Sequence, residues 1–183
     1  MEVDGDVFTQ VNQEGNKRLV SELLNWGTFH SQDRVLELYC GAGNITLQVA
    51  QKCGRITAVE GNAQSIINAE RNGRLNKLEN IRWICSDVAK ALEQLVNKKE
   101  RFSKIIINPP RSGAKGLGPA LASLRAEKIF YVSCNPATLA RDLLALCNKG
   151  YKLTRVRPID LFPHTYHVET LAELRYLSHK DPS

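Results

Sequence analysis

The stretch that decides the fold is Arg34-Val-Leu-Glu-Leu-Tyr-Cys-Gly41-Ala-Gly43-Asn44, in which an apolar segment runs into two closely spaced glycines. Arg34–Leu38 has the length and apolar character of a buried strand, and a helical pattern runs from Asn44 to Lys52. Glycine lets the backbone approach a ligand closely, and the start of a helix presents free N–H groups. The stretch therefore predicts a strand–turn–helix unit of an α/β sheet, with a ligand beyond the carboxyl end of the strand.

Strand-like and helix-like segments alternate along most of the chain, which is typical of a parallel sheet covered on both faces. A helical stripe at Asn16–Trp26 comes first. The predicted strands are 34–38, 55–59, 81–85, 104–107 and 129–133, and the helices that follow them are 44–52, 62–75, 88–96, 119–124 and 137–147. Helical periodicity places Ile67 on the inward face of helix 62–75 and Leu144 on the apolar face of helix 137–147. Leu153–Ile159 and Val168–Leu177 have no helix between them, which predicts an antiparallel hairpin at one edge. The sequence thus predicts one doubly wound α/β domain with a mostly parallel sheet over residues 1–183, in which residues 1–30 form a leading segment and a helix packed on the sheet.

Composition narrows the class of protein. The 183 residues suit one domain, and 43% hydrophobic with 24% charged residues is typical of a globular chain. No apolar run approaches the ~18 residues that a membrane span needs, and the N-terminus lacks a signal-peptide core, so we expect no membrane association and a cytoplasmic location. The net charge of +6 fits a polyanionic partner such as RNA, because Lys and Arg release counterions from phosphates.

Two acidic residues follow predicted strands where a nucleotide cofactor would meet them. Glu60 ends the second strand, where a carboxylate can accept both ribose hydroxyls, and Asp87 follows the third strand, near the expected adenine amino group. Each could instead cap the next helix. The glycine pattern is too short for a dinucleotide fingerprint, so a dehydrogenase fits less well. We assign these acids to cofactor binding, together with four residues of the turn: Tyr39, Gly41, Gly43 and Asn44. The combination resembles class I S-adenosylmethionine-dependent methyltransferases.

One of the five cysteines has a setting that suits chemistry. The cysteines are dispersed without a CxxC pair, which argues against a disulfide framework and against a cysteine-ligated metal. Cys134 lies in Ser-Cys-Asn-Pro at the end of a strand and the start of a helix, which favours a reactive thiolate, although a structural thiol is the simpler alternative. His164 and His167 precede Glu169 with metal-like spacing, but the flanking prolines do not predict a rigid helix. We therefore predict no metal site.

Methylation of pyrimidine carbon 5 needs the side chains found in these loops. Carbon 5 is a poor nucleophile until a thiolate adds to carbon 6, after which an enolate can attack a methyl sulfonium. A base must then remove the proton from carbon 5. Cys134 could supply the thiolate, Glu169 the base, and the loop Asn108–Arg111 the group that holds the pyrimidine edge. Taken alone, Glu169 could equally be a solvated strand carboxylate.

The loop Asn108-Pro-Pro-Arg111 has a second interpretation. Asn-Pro-Pro followed by an aromatic residue is typical of methyltransferases that act on an amino nitrogen, where the aromatic ring stacks on the base. Arg111 occupies the aromatic position here, and a cysteine motif follows one strand later. Both observations favour carbon over nitrogen as the methylated atom.

By these motifs the chain resembles the catalytic domain of the RNA uracil-5-methyltransferases, which form 5-methyluridine in transfer and ribosomal RNA. The similarity covers nearly the whole chain, at 8–12, 37–44, 108–111, 133–142 and 160–169. It implies S-adenosylmethionine as cofactor and RNA as substrate, Cys134 as nucleophile and Glu169 as base. It also implies that Gln10, Gly41, Glu60, Asp87 and Asn108 surround the cofactor, and that Arg111 supports either the nucleophile loop or the bound nucleotide.

The chain departs from this family in two respects. The family usually has Asp at the position of Asn108, where a carboxylate accepts the N3–H of uracil. The Asn108 carbonyl can do the same, but its amide can also donate to cytosine, so both pyrimidines stay open. Members also carry an N-terminal RNA-binding barrel and a central domain, often with an iron–sulfur cluster, and this chain has neither. We expect a monomer, with a nitrogen-directed methyltransferase and a non-catalytic RNA-binding module as the alternative functions.

Overall fold

The computed structural model describes residues 13–160 and 168–177, in which seven strands alternate with six helices. The strands are β1 (Arg34–Leu38), β2 (Arg55–Glu60), β3 (Ile81–Cys85), β4 (Lys104–Ile107), β5 (Lys128–Ser133), β6 (Tyr151–Asp160) and β7 (Val168–Tyr176). The helices are α1 (Gln13–Gly27), α2 (Asn44–Ala50), α3 (Ala63–Leu75), α4 (Val88–Asn97), α5 (Gly118–Ser123) and α6 (Pro136–Cys147). Every predicted element is present, with ends within three residues of the prediction.

The strands form one sheet in the order β3-β2-β1-β4-β5-β7-β6. β1 to β5 run parallel, whereas β7 pairs antiparallel with both β5 and β6. The predicted fold class is therefore confirmed, including the antiparallel hairpin at the edge. Strand order reverses between β1 and β4, and ligands of such sheets bind beyond the carboxyl ends at this switch point.

Helices cover both faces of the sheet. On one face α4, α5 and α6 enclose a core that includes Leu92 and Tyr131, and on the other α1 and α2 enclose a core that includes Leu23 and Phe130. In the two described ranges, no helix combines the length and the apolar character that a bilayer crossing needs.

Two predictions about helix faces are wrong. Helical periodicity predicts Ile67 and Leu144 on buried faces, but their side chains are 54% and 61% exposed. The buried stripe of α3 instead carries small and polar residues such as Ser65 and Gly73, which let the helix approach the sheet closely. In α6 the stripe includes Asp142, a carboxylate that a hydrophobic pattern does not reveal.

A buried ion pair aligns the two central strands. Asp33, just before β1, and Lys104, the first residue of β4, are 2% and 3% exposed and form a salt bridge. The Asp33 carboxylate also accepts from the Ser103 hydroxyl and the His30 N–H. Moving the two strands apart or along each other would leave a buried charge without a partner, which is strongly unfavourable. The pair therefore stabilises the observed register of β1 and β4.

The outer strand β6 is strongly basic. It exposes Lys152, Arg155 and Arg157 along its length. The guanidinium groups of Arg155 and Arg157 each lie 5.7 Å from the centre of the Trp26 ring on α1. Arg157 also pairs with Glu22 at 2.6 Å. These contacts fasten the hairpin to α1.

Candidate active site at the carboxyl edge of the sheet

The glycine turn after β1 presents backbone groups, with no side chain in front of them, to the space where a ligand would bind. Tyr39, Gly41 and Gly43 all have positive φ angles, of 63°, 54° and 85°. A Cβ on Gly43 would lie 3.1 Å from the Trp83 ring, so this glycine is required by close packing as well as by φ. A Cβ on Gly41 would meet nothing within 4 Å. The backbone at Gly41 therefore faces open space that a ligand can use.

Glu60 ties the end of β2 to this turn. One carboxylate oxygen accepts from the Gly41 N–H at 3.1 Å and the other from the Asn62 N–H at 2.9 Å. Each oxygen keeps a lone pair for another donor, such as a ribose hydroxyl.

Asp87 caps a helix, which is one of the two roles that the sequence allows for it. Its carboxylate accepts from the Lys90 N–H at 3.0 Å and forms the N-cap of α4. The side chain is exposed, so a ligand can still reach it. Capping and cofactor contact are therefore compatible at Asp87.

A pair of amides joins α1 to the first residue of α2. The Asn16 amide donates to Asn44 Oδ1 at 3.0 Å, and the Asn44 amide donates back to Asn16 Oδ1 at 2.7 Å. This reciprocal pair fixes the orientation of Asn44 and the start of α1 beside the glycine turn. Sequence reasoning assigned Asn44 to the cofactor but missed Asn16, because residues 28 apart in sequence carry no local signal of pairing.

Cys134 follows β5 directly and is half-buried. The next residue, Asn135, caps α6 by accepting from the N–H groups of Ala137 and Thr138 at 3.0 and 3.4 Å. The Ser133 hydroxyl donates to the Asn135 carbonyl and accepts from the Asn135 N–H, each at 3.1 Å. Cys134 thus lies in a hydrogen-bonded turn between the end of β5 and the start of α6.

The pairing of β5 with β7 brings Glu169 to the same edge as Cys134. Their antiparallel ladder ends at Ser133↔Thr170, so Cys134 lies in the bend just after Ser133 and Glu169 comes just before Thr170. Burial raises the pKa of Glu169, and the nearby positive charge of Arg111 partly opposes this shift. A raised pKa makes Glu169 a better proton acceptor near neutral pH.

The loop after β4 lies beside the cysteine turn. Asn108 is half-buried, and its N–H donates to the Leu38 carbonyl at 3.3 Å. The carbonyl of Arg111 accepts from the Asn135 amide at 3.3 Å and the Thr138 hydroxyl at 3.2 Å. The loop is therefore attached to the helix that begins after Cys134.

Three residues singled out in the sequence lie outside the described residues: Gln10, His164 and His167. Within residues 13–160 and 168–177, no group of three or more His, Cys, Asp and Glu side chains is arranged to hold a metal ion.

Glu37 is a buried carboxyl directly behind the glycine turn. It is 1% exposed and accepts from the Thr46 hydroxyl at 2.6 Å. Burial raises the pKa of Glu37 to about 8, despite the opposing effect of this hydrogen bond. The sequence marked Glu37 as part of the turn motif but did not indicate that its carboxyl would be neutral at pH 7.

A family profile and two sequence relatives indicate one kind of enzyme. Residues 2–175 match the profile of a family described as tRNA (Uracil-5-)-methyltransferase. The chain is 41% identical over 165 residues to the 23S rRNA (uracil(1939)-C(5))-methyltransferase of Aliivibrio salmonicida. This alignment covers 90% of the chain and 38% of that relative. The relative of the same name in Haemophilus influenzae strain Rd is 42% identical over 164 residues, and the alignment covers 90% of this chain and 37% of that relative. The chain thus spans less than two fifths of the length of these two relatives.

A solved structure supports the same similarity. The tRNA (uracil-54, C5)-methyltransferase of Pyrococcus abyssi, in complex with S-adenosyl-L-homocysteine, superposes with a TM-score of 0.77 at 28% identity. The superposition covers 92% of this chain and 40% of the Pyrococcus chain.

Replacing Glu37 with Gln should change how stability depends on pH. Because the folded-state pKa of about 8 exceeds the ordinary 4.5, the folded chain binds more protons than the unfolded chain between these values. The free energy of unfolding should therefore fall as pH rises from 5 to 8, by on the order of 4 kcal/mol. The Glu37→Gln chain should lack this fall, as measured by urea denaturation at several pH values. An exposed Glu93→Gln variant is the control, and parallel profiles for wild type and Glu37→Gln would contradict the prediction.

Proposed function

Because the chain belongs to the tRNA (uracil-5-)-methyltransferase family, we propose that it methylates carbon 5 of uridine in RNA, with S-adenosylmethionine as the methyl donor. The relatives at 41–42% identity are named for 23S rRNA, and the Pyrococcus enzyme at 28% identity is named for tRNA, so ribosomal RNA is the favoured substrate. That the chain is a monomeric catalytic domain stays a prediction.

The residues around the glycine turn fit S-adenosylmethionine, which when bound supplies an electrophilic methyl group. The open space at Gly41 admits the ligand next to the backbone. The free lone pairs of Glu60 suit the ribose hydroxyls, and Asp87 suits the adenine amino group. Tyr39, Gly43, Asn44 and Asn108 complete the proposed pocket, with Gln10 contributed by the leading segment.

Cys134 and Glu169 would carry the covalent steps. The Cys134 thiolate would form a bond to carbon 6 of the pyrimidine, and the electron pair would move to carbon 5. Carbon 5 would then take the methyl group as the bond between that group and the donor sulfur breaks, leaving S-adenosylhomocysteine. Glu169 then removes the proton from carbon 5, the double bond re-forms, and the C6–S bond breaks to release the thiolate. Asn108 would hold the pyrimidine edge, and Arg111 would stand beside Glu169.

The register of β5 and β7 is the observation that carries this proposal. The ladder ends at Ser133↔Thr170, so the two residues that the chemistry needs are the next ones along adjacent strands. A nucleophile and a base that are 35 positions apart in sequence thus reach the same edge of the sheet from two strands of opposite direction.

The Cys134→Ala variant should abolish covalent capture of RNA. Wild-type chain incubated with S-adenosylmethionine and a 23S rRNA fragment containing 5-fluorouridine should form an adduct, because fluorine at carbon 5 cannot be removed as a proton. Intact mass spectrometry should find the adduct in wild type and none in Cys134→Ala. On unmodified RNA, methyl transfer by Cys134→Ala should fall by at least about 10³-fold.

The half-buried Cys147→Ala variant is the matched control and should form the adduct at the wild-type rate. Nitrogen-directed methylation would instead leave Cys134→Ala active and put the methyl group on nitrogen. A non-catalytic module would bind RNA without methyl transfer at saturating S-adenosylmethionine. Either result would refute the proposed function.

The Asn16→Asp variant should weaken cofactor binding through Asn44. The new carboxylate can still accept from the Asn44 amide but cannot donate to Asn44 Oδ1, so two oxygens face each other. We expect Kd for S-adenosylmethionine at pH 8 to rise about 10-fold by calorimetry, the cost of one hydrogen bond. The difference from wild type should shrink as pH falls to about 4, the ordinary pKa of Asp, where protonation restores the donor. Equal weakening by Asn25→Asp, on the exposed face of α1, would contradict this role.

The Asn108→Asp variant should sharpen the choice of pyrimidine. The Asn108 amide can accept the N3–H of uracil through its carbonyl or donate to N3 of cytosine, whereas an ionised carboxylate can only accept. The ratio of methylation rates on matched RNAs with uridine or cytidine at the target should therefore rise about 10-fold or more in the variant. An unchanged ratio would show that Asn108 does not contact this edge.

A further inference from the structure

The first half of α6 forms hydrogen bonds with the loop that begins with Asn108–Arg111. Four polar side chains, at positions 135, 138, 141 and 142, lie along one side of the helix. The Arg111 carbonyl accepts from Asn135 and Thr138, and the Ser112 carbonyl accepts from Arg141 at 2.9 Å. Residues 135 to 141, about two turns at the start of the helix, therefore bind two consecutive backbone carbonyls of one loop.

Asp142 is the centre of this interface. It is 7% exposed, and one oxygen accepts from both the Ala114 N–H and the Tyr131 hydroxyl at 2.7 Å. The other oxygen accepts from Arg141 Nε at 2.8 Å. Burial alone would raise the pKa of Asp142, but the three donors outweigh it and hold the pKa below its ordinary value. A buried carboxylate that stays charged thus links β5, α6 and the loop.

The loop has no room to shift against α6. Gly113 has φ of 76°, and a Cβ there would lie 2.5 Å from Asp142 Oδ2 and 2.6 Å from Arg141 Nη2. Its N–H also donates to the Pro110 carbonyl at 2.8 Å. The close approach of this backbone is what lets Asp142 reach the Ala114 N–H.

We propose that Asp142 is a positioning residue that fixes the Asn108–Arg111 loop relative to Cys134. Tyr131, which donates to Asp142, lies three residues before Cys134 on β5, and α6 begins two residues after it. The carboxylate therefore connects the segments on both sides of the thiol to the loop proposed to hold the pyrimidine. This inference rests on the proposed function, since it assigns Asp142 to the same reaction.

Misplacement of the pyrimidine by about 1 Å can cost 10²-fold in rate. The Asp142→Asn variant loses the negative charge and one of the two oxygen atoms that accept hydrogen bonds. Its rate of single-turnover methyl transfer should therefore fall about 100-fold. Its Kd for S-adenosylmethionine should stay within about twofold of wild type, because the hydrogen-bond partners of Asp142 (Ala114, Tyr131 and Arg141) are not among the proposed cofactor contacts. The Gly113→Ala variant disrupts the same contact from the loop side, and should give the same split if Asp142→Asn folds poorly.

Tyr151→Phe is the matched control. Tyr151 is a buried tyrosine that donates to the Ala126 carbonyl at 2.9 Å, on the same face of the sheet but away from the loop. It should lower the melting temperature without changing the methylation rate. Rates of Asp142→Asn and Gly113→Ala within twofold of wild type, or an equal loss in Tyr151→Phe, would overturn the proposal.

Hydrogen exchange separates this inference from the proposed function. Asp142→Asn should speed exchange of the Ala114 amide by at least about tenfold over core amides such as Ile106, whether or not the chain methylates RNA. Inactive wild-type chain would refute the proposed function, whereas unchanged Ala114 exchange would refute the positioning role alone.

Discussion

The antiparallel ladder between β5 and β7 extends from Lys128↔Arg175 to Ser133↔Thr170. It reverses the chain direction at one point of an otherwise parallel sheet, so the start of β7 meets the end of β5. A slip by one residue would turn Glu169 to the other face of the sheet. Leu171 packs in the core on the α1 face, and Ala172 and Leu174 pack in the core on the α6 face. A slip would exchange side chains of different size between these two close-packed cores, which opposes it. The hydrophobic core of the hairpin therefore determines where the proposed base lies.

Two carboxyl groups near this edge have opposite environments. Glu169 is half-buried, and burial raises its pKa, which the positive charge of Arg111 only partly opposes. Asp142 is more deeply buried but receives three hydrogen bonds, and its pKa is lowered. Environments that separate the pKa values of neighbouring acids usually separate their roles as well. Here the first group is suited to exchange a proton and the second to hold structure.

Local pattern was sufficient for most of the fold, whereas the roles assigned to the residues of the site stay predictions. Strand-and-helix alternation, the glycine turn and the cysteine motif are short-range features, and each was found where the sequence predicts it. Tertiary features were not predictable in this way. Asp142 is buried because a distant loop supplies donors, and Leu144 is exposed because that carboxylate takes the inner face of α6. The Asn16–Asn44 amide pair likewise depends on how α1 crosses the sheet.

The basic outer strand β6 also affects how this sheet behaves in solution. An edge strand leaves a row of backbone groups that could recruit a strand of another molecule. Lys152, Arg155 and Arg157 place like charges along that row, and Pro158 removes one N–H donor from it. Two chains brought edge to edge would repel each other, so this border disfavours amyloid-like stacking.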